Sequence, residues 1–199
     1  MGLIHILPVF LAYIIGAIPF GYLLTKRATG LNILEQGSGN IGSTNVRRIA
    51  GKRISIQVQI LDMLKGFLPV ILVLMTNKSG YIPIPDYYIL IIAFSTIIGH
   101  NFSVFLRFRG GKGVNTTLGA TLLLAPVEVL SAVVIYFIVK WRFRYVSIGS
   151  IVLACALPCS AIFCKEKTCL IIYLFLCCFI ILFRHLPNIK RLIAGSELH

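Results

Sequence analysis

Three short stretches hold most of the side chains with which this chain could do chemistry. The first, GSGNIGSTNVRR at 37–48, sets glycines 37, 39 and 42 among Ser38, Asn40, Ser43, Thr44 and Asn45 and ends in Arg47 and Arg48. Glycine lets a backbone bend and approach a ligand closely, and successive N–H groups in a turn form concavities that hold anions. A guanidinium adds fixed positive charge and can grip an oxyanion in a bidentate fork. The pattern predicts a phosphate-binding loop with Gly39, Thr44 and Asn45 among its donors.

The second stretch, GHNFSVFLRFRGGKGVNTTLG at 99–119, repeats this logic. Gly110, Gly111, Lys112 and Gly113 directly precede an expected helix carrying Thr116 and Thr117, so backbone donors, an ammonium and a helix N-terminus converge. The spacing of a Walker loop is absent, which favours a phosphate cradle over nucleotide hydrolysis. His100 reads as a hydrogen-bonded structural residue ahead of a proton carrier. The third stretch, RHLPNIKRLIAGSE at 184–197, places His185, Asn188 and Arg191 three residues apart. On a helix they form one polar face suited to a polyol phosphate.

Supporting residues are fewer. Asp62 and Lys65, three apart inside an apolar run, can neutralise each other and are read as structural support. Ser147 is expected to cap the helix that follows RYV. The chain has only six acidic residues, scattered, with no HExxH and no GxSxG elbow. No metal and no cofactor are expected, and the reaction must run on basic and amide groups. The six cysteines fall in the apolar C-terminal third without a CxxC pair and are expected to be buried small hydrophobes.

The elements that must position these stretches are membrane helices. Of the 199 residues, 58% are hydrophobic and 13% charged, with a mean hydropathy of +0.92, which is outside the soluble range. Continuous apolar runs near 3–25, 54–76, 87–99, 114–139, 146–164 and 168–183 predict helices rather than a barrel. The first run lacks a charged leader and a cleavage site and is expected to stay as a helix. The net charge of +13 sits in short loops between the runs, so it speaks for orientation and phosphate ligands, not nucleic acid. Lysine and arginine gather at 26–53, 107–112, 140–144 and in the tail. Placing these clusters in the cytoplasm puts the N-terminus outside, the C-terminus inside, and makes the number of crossings odd. The run 114–139, interrupted by Pro126 and Glu128, is expected to form two short, partly inserted helices.

In this order, SGNIGSTN with Arg47, GHNFSVFLRFRGGKGV, and RH followed by NIKRL and GSE resemble the three cytoplasmic motifs of the bacterial acyl-phosphate:glycerol-3-phosphate acyltransferase family; GAIPFGYLL and LDMLKG fit beside them. The resemblance covers nearly the whole chain. It implies an all-α integral membrane protein of about seven helices, some short or broken. One membrane domain, 1–199, would carry a cytoplasmic-face active site built from 37–48, 99–117 and 184–197. The implied activity is acyl transfer from acyl phosphate to the 1-hydroxyl of sn-glycerol 3-phosphate, giving lysophosphatidic acid and phosphate, an initial step of phospholipid biosynthesis. Ser38 and Arg47 then match essential positions of the first motif, His185 and Asn188 the third-motif pair, and Glu197 a supporting carboxylate. The resemblance further implies that the glycine and lysine loop 110–113 binds the glycerol phosphate. By their own chemistry Arg47, Lys112 and Arg191 can hold the phosphates, while Ser38 and Asn40, or backbone N–H groups nearby, can stabilise the developing oxyanion. The implied partners are the two substrates and membrane lipids, for a monomer in the bacterial inner membrane. The rival reading, a transporter of phosphate or glycerol phosphate, is weakened by the absence of an internal repeat.

Overall fold

The computed structural model describes residues 3–78 and 84–197, with side chains from residue 6 onward. Among these residues the chain is all-helical and falls into two compact units, Met1–Ala120 and Thr121–His199. Four helical stretches are long and apolar enough to cross a membrane: Ile6–Thr29, Ser43–Lys78, Asp86–Leu106 and Val146–Phe163. A fifth is reached if the bent pair Thr168–Arg184 and Leu186–Ile193 counts as one span. Large side chains such as Phe10, Leu72, Val134 and Phe179 stay exposed on the helix exteriors. That suits a surface solvated by lipid, where an apolar exterior carries no penalty.

In the first unit the N-terminal run is two helices, α1 (Leu3–Ala17) and α2 (Phe20–Thr29). The break falls at Ile18–Pro19, because proline has no N–H to donate and pushes the preceding residue out of the helical region. The carbonyls that the break releases are satisfied by side chains: Ser103 Oγ donates to Ala17 O at 2.5 Å, and Lys65 Nζ donates to Ile18 O at 2.8 Å. Next comes α3 (Ser43–Lys78), interrupted at Gly51, whose φ of 82° and ψ of 175° are not helical. Then follow α4 (Asp86–Asn101) and α5 (Val114–Thr121). Glycines let these helices touch backbone to backbone. A side chain at Gly16 or Gly99 would strike the facing backbone of α4 or α1, and one at Gly66 or Gly119 that of α5 or α3.

The second unit holds α6 (Pro126–Phe143), α7 (Val146–Phe163), α8 (Thr168–Arg184) and α9 (Leu186–Ile193). The run read as 114–139 does break before Pro126, but only its first piece is short. The 18-residue α6 continues past Val139 to Phe143, a length of about 27 Å. Ser147 is not a cap. Arg144 closes α6 in the left-handed region at φ 63°, which leaves Tyr145 alone to precede α7, and Ser147 falls in the first turn. The cysteines also depart from expectation. Cys177 and Cys178 are buried, but Cys155, Cys159 and Cys164 are exposed, since the outer face of a membrane helix is as apolar as its inner face. Cys178 Sγ donates to Cys155 Sγ at 4.0 Å between α8 and α7, and both remain free thiols.

Candidate active site

The first loop is folded around one buried amide. Asn45, in the first turn of α3 and 2% exposed, accepts the Ser38 N–H at Oδ1 (3.0 Å) and donates through Nδ2 to Gln36 O and Asn40 O (3.0 Å each). Both amide hydrogens are thereby committed, so Asn45 shapes the loop and offers no donor to a ligand. Gly37 sits at φ 57°, and any side chain there would strike Asn45 Oδ1. Asn40 Oδ1 takes the Gly42 N–H at 2.8 Å, closing a second small turn. Ser38, Gly39, Asn40 and Thr44 are left half-buried, and Arg47 is exposed without an ion pair among the described residues.

The second stretch doubles back on the end of α4. Arg107 and Phe108 both take positive φ, 51° and 64°, an uncommon conformation for such residues, and they turn the chain so that the glycines lie on His100 and Asn101. Gly111 N–H donates to His100 O at 3.0 Å. A side chain at Gly110 would collide with His100 O and Asn101 O, one at Gly111 with the His100 ring at Nε2, and one at Gly113 with the Asn101 amide. These buried glycines are thus required by packing against α4. The residue they present is Lys112, which is half-buried. Gly113 O accepts the Thr117 N–H at 2.7 Å and opens α5, whose leading N–H groups lack partners within the helix. Thr116 and Thr117 are fully buried, and their hydroxyls have no hydrogen-bond partner among the described residues.

These two stretches are neighbours within the first unit. Asn115 Nδ2 on α5 lies 3.5 Å from Ser43 Oγ at the start of α3, and Ser43 O accepts Ser55 Oγ at 2.8 Å. Beneath them, Lys65 Nζ is 2.9 Å from Asp62 Oδ1 and 5.6 Å over the Phe20 ring. His100 Nδ1 is 3.6 Å from the same Asp62 oxygen.

The third stretch lies in the second unit, where α8 and α9 meet at a 53° bend. His185, 2% exposed, sits at the bend with Nδ1 2.8 Å from Ile181 O. A carbonyl only accepts, so Nδ1 carries the proton and Nε2 is the basic nitrogen of the neutral ring. Asn188 Nδ2 donates to Glu197 Oε1 at 2.6 Å, and Arg191 Nε donates to Glu197 Oε2 at 2.8 Å. Burial raises the Glu197 carboxyl, but the hydrogen bonds of Asn188 and Arg191, the nearby Ser147 hydroxyl and the Arg191 charge outweigh it and leave the group below its ordinary value. Ser147 acts here through proximity, since its buried hydroxyl makes no hydrogen bond of ordinary geometry among the described residues. It belongs to the carboxylate's surroundings rather than to a helix cap.

Sequence reasoning missed the central place of Asn45 and the position of His100 under the glycine loop. Both depend on partners set by backbone folding. Only the density of asparagine in SGNIGSTN hinted at the first.

Apolar helices joined by basic and amide-rich polar loops define an integral membrane protein. The chain belongs to the glycerol-3-phosphate acyltransferase family, whose family model matches residues 6–195. It is similar to the glycerol-3-phosphate acyltransferase of Clostridium acetobutylicum, with 40% identity covering 98% of this chain and 99% of that one. A counterpart from Syntrophotalea carbinolica is 41% identical, over 94% and 92% of the two chains. The fold matches the crystal structure of PlsY (YgiH), an integral membrane glycerol 3-phosphate acyltransferase, in its glycerol 3-phosphate form. The TM-score is 0.90 at 32% identity, covering 98% of this chain and 94% of that chain. The lysophosphatidic acid form of the same protein matches with a TM-score of 0.86 at 31% identity.

Proposed function

We propose that the chain transfers a fatty acyl group from acyl phosphate to the 1-hydroxyl of sn-glycerol 3-phosphate, giving lysophosphatidic acid and phosphate. The observation that carries this reading is the pair of adjacent polar stretches in the first unit: Asn45 fixes a loop that leaves Ser38 half-buried and Arg47 exposed and unpaired, beside the Lys112 loop and the start of α5. The family match and the PlsY structures, one holding glycerol 3-phosphate and one lysophosphatidic acid, support the same substrate and product.

In this reading the glycerol oxygen attacks the acyl carbonyl carbon, the bond from that carbon to the phosphate oxygen breaks, and the departing phosphate keeps the bonding pair. Acyl phosphate is already activated, so the protein mainly has to hold two anionic substrates in register, an effect that can supply about 7–11 kcal/mol. In the first unit Arg47 and Lys112 bind phosphate oxygens, with the Gly110–Gly113 loop and Thr116 shaping the cradle; in the second, Arg191 offers a guanidinium for phosphate. Ser38 and Asn40 donate toward the carbonyl oxygen as negative charge develops on it. The hydroxyl proton passes to a substrate phosphate; in the second unit, His185 Nε2 is the side-chain candidate for that role. Asn188, fixed by Glu197, orients the groups beside His185. Asp62, Lys65 and Ser147 support this machinery, and Asn45 supports the loop. Transfer is direct, without an acyl-enzyme.

The protein would work as a monomer in the bacterial inner membrane. Seven crossings would place the N-terminus outside and the polar stretches toward the cytoplasm, as the basic loops favour. The test is purified protein in lipid nanodiscs given acyl phosphate and glycerol 3-phosphate. Equimolar lysophosphatidic acid and phosphate are expected. Uptake of glycerol phosphate into proteoliposomes without acylation, or a trapped acyl adduct on Ser38, would overturn the scheme.

A further inference from the structure

A charged pair buried without further use is a poor stabiliser, because two desolvated ions rarely outperform apolar side chains of the same volume. Asp62 and Lys65 are 2% and 3% exposed, and Lys65 alone would account for the pair's bond to the α1–α2 break. Yet the same Asp62 oxygen also faces His100, which is 4% exposed. The opposite edge of the His100 ring, at Nε2, lies where a Gly111 side chain would have to go. The ring is therefore clasped between a fixed carboxylate and the loop that presents Lys112, and Gly111 N–H is tied to the carbonyl of the same histidine.

We infer that His100, held by Asp62, is a positioning residue that sets the height and tilt of the 110–113 loop, and so decides how Lys112 meets a substrate phosphate. This rests on the reaction proposed above. His100 acts through the loop and does not touch the reacting atoms. A displacement of the loop by about 1 Å is enough to cost a large factor in a bound geometry.

The experiment uses full-length protein in nanodiscs, with KM for glycerol 3-phosphate, KM for acyl phosphate and kcat measured separately. His100→Asn keeps an amide facing Asp62 but empties the space under Gly111. It is expected to raise KM for glycerol 3-phosphate about tenfold, with kcat and KM for acyl phosphate changed less than about threefold. His100→Gln, whose amide reaches the Nε2 place, should bring that KM back to within about threefold of the parent. Gly111→Ala pushes the loop from the other side and should give the same selective rise. If His100→Asn does not fold, Gly111→Ala decides. Combining it with His100→Gln, which leaves the crowding in place, should keep the defect, whereas His100→Asn should relieve it. Equal loss of all three parameters, or a Gln variant no better than Asn, would reduce His100 to a structural residue. A parent protein that forms no lysophosphatidic acid would instead refute the proposed reaction.

Discussion

The loop around Arg47 and the bend around Arg191 both present a guanidinium, but they hold it in opposite ways. In the first, a neutral amide organises the backbone and the cation stands apart: the Asn45 side chain bonds the main chain of Ser38, Gln36 and Asn40, and Arg47 has no ion pair among the described residues. In the second, a carboxylate organises the side chains themselves, binding Asn188 and the Nε of Arg191 together. An unpaired surface cation keeps its full charge for a ligand. A paired one surrenders part of that charge and gains a fixed direction, because its long side chain no longer has to be ordered when the ligand arrives. The first arrangement favours strength of attraction, the second favours aim.

The largest expected effect sharpens this contrast within the first loop. Ser38→Ala should lower kcat by about 10²–10³ with KM for glycerol 3-phosphate little changed, as for the loss of one oxyanion donor. Arg47→Ala should act on the other parameter. Removing a charge-assisted contact worth about 1.5–3 kcal/mol raises KM by roughly 10- to 150-fold. Arg47→Lys should recover only part of this, since an ammonium cannot make the bidentate fork. Steady-state kinetics of the three variants check the division, and equal losses in both parameters for Ser38→Ala and Arg47→Ala would undo it.

A smaller effect is expected at Asn45. Asn45→Ala deletes three hydrogen bonds to backbone at about 1 kcal/mol each, so thermal unfolding in nanodiscs should shift down by several degrees. Asn45→Asp keeps the acceptor for Ser38 N–H but loses both donors and should fall between parent and Ala. An Asp variant as stable as the parent would mean that the amide donors contribute nothing and the loop is held elsewhere.

Much of this was legible in the sequence. Glycine, amide and arginine clusters between apolar runs marked where the polar stretches lie, and Pro126 marked the break between α5 and α6. What stayed hidden has physical causes. Hydropathy passes over the break at Pro19, because GAIPFGYLL is apolar throughout and the limit is one of backbone dihedrals. For the glycines of 110–113 the pattern gives no sign that the atoms a side chain would strike belong to His100 and Asn101, which only the reversal at Arg107 and Phe108 brings near. Ser147 has the right chemistry for a cap, and it missed the position because the turn after α6 is too short to leave it outside α7.

The smallest effect is the one that separates the two regions most cleanly, because it depends on a proton. Glu197 is lowered from its ordinary 4.5, so in the folded protein it stays ionised to a lower pH than in the unfolded chain. A group shifted in this direction contributes stability that is complete above the unfolded value and disappears as pH falls through the folded one. The side chain of Arg191 is 31% exposed, so solvent screens the pair and the contribution is modest. Between pH 7 and 5 the α9 amides should therefore keep their hydrogen-exchange protection, and below about pH 4.5 they should lose it progressively. Glu197→Gln should start from lower protection at pH 7 and show a flatter acid profile. The Asn45 amide is held by main chain and not by a carboxylate, so its loop should hold its protection over the same range. Loss of protection at both places in step would mean that acid unfolds the chain as a whole, and the carboxylate would then have no local part in aiming Arg191.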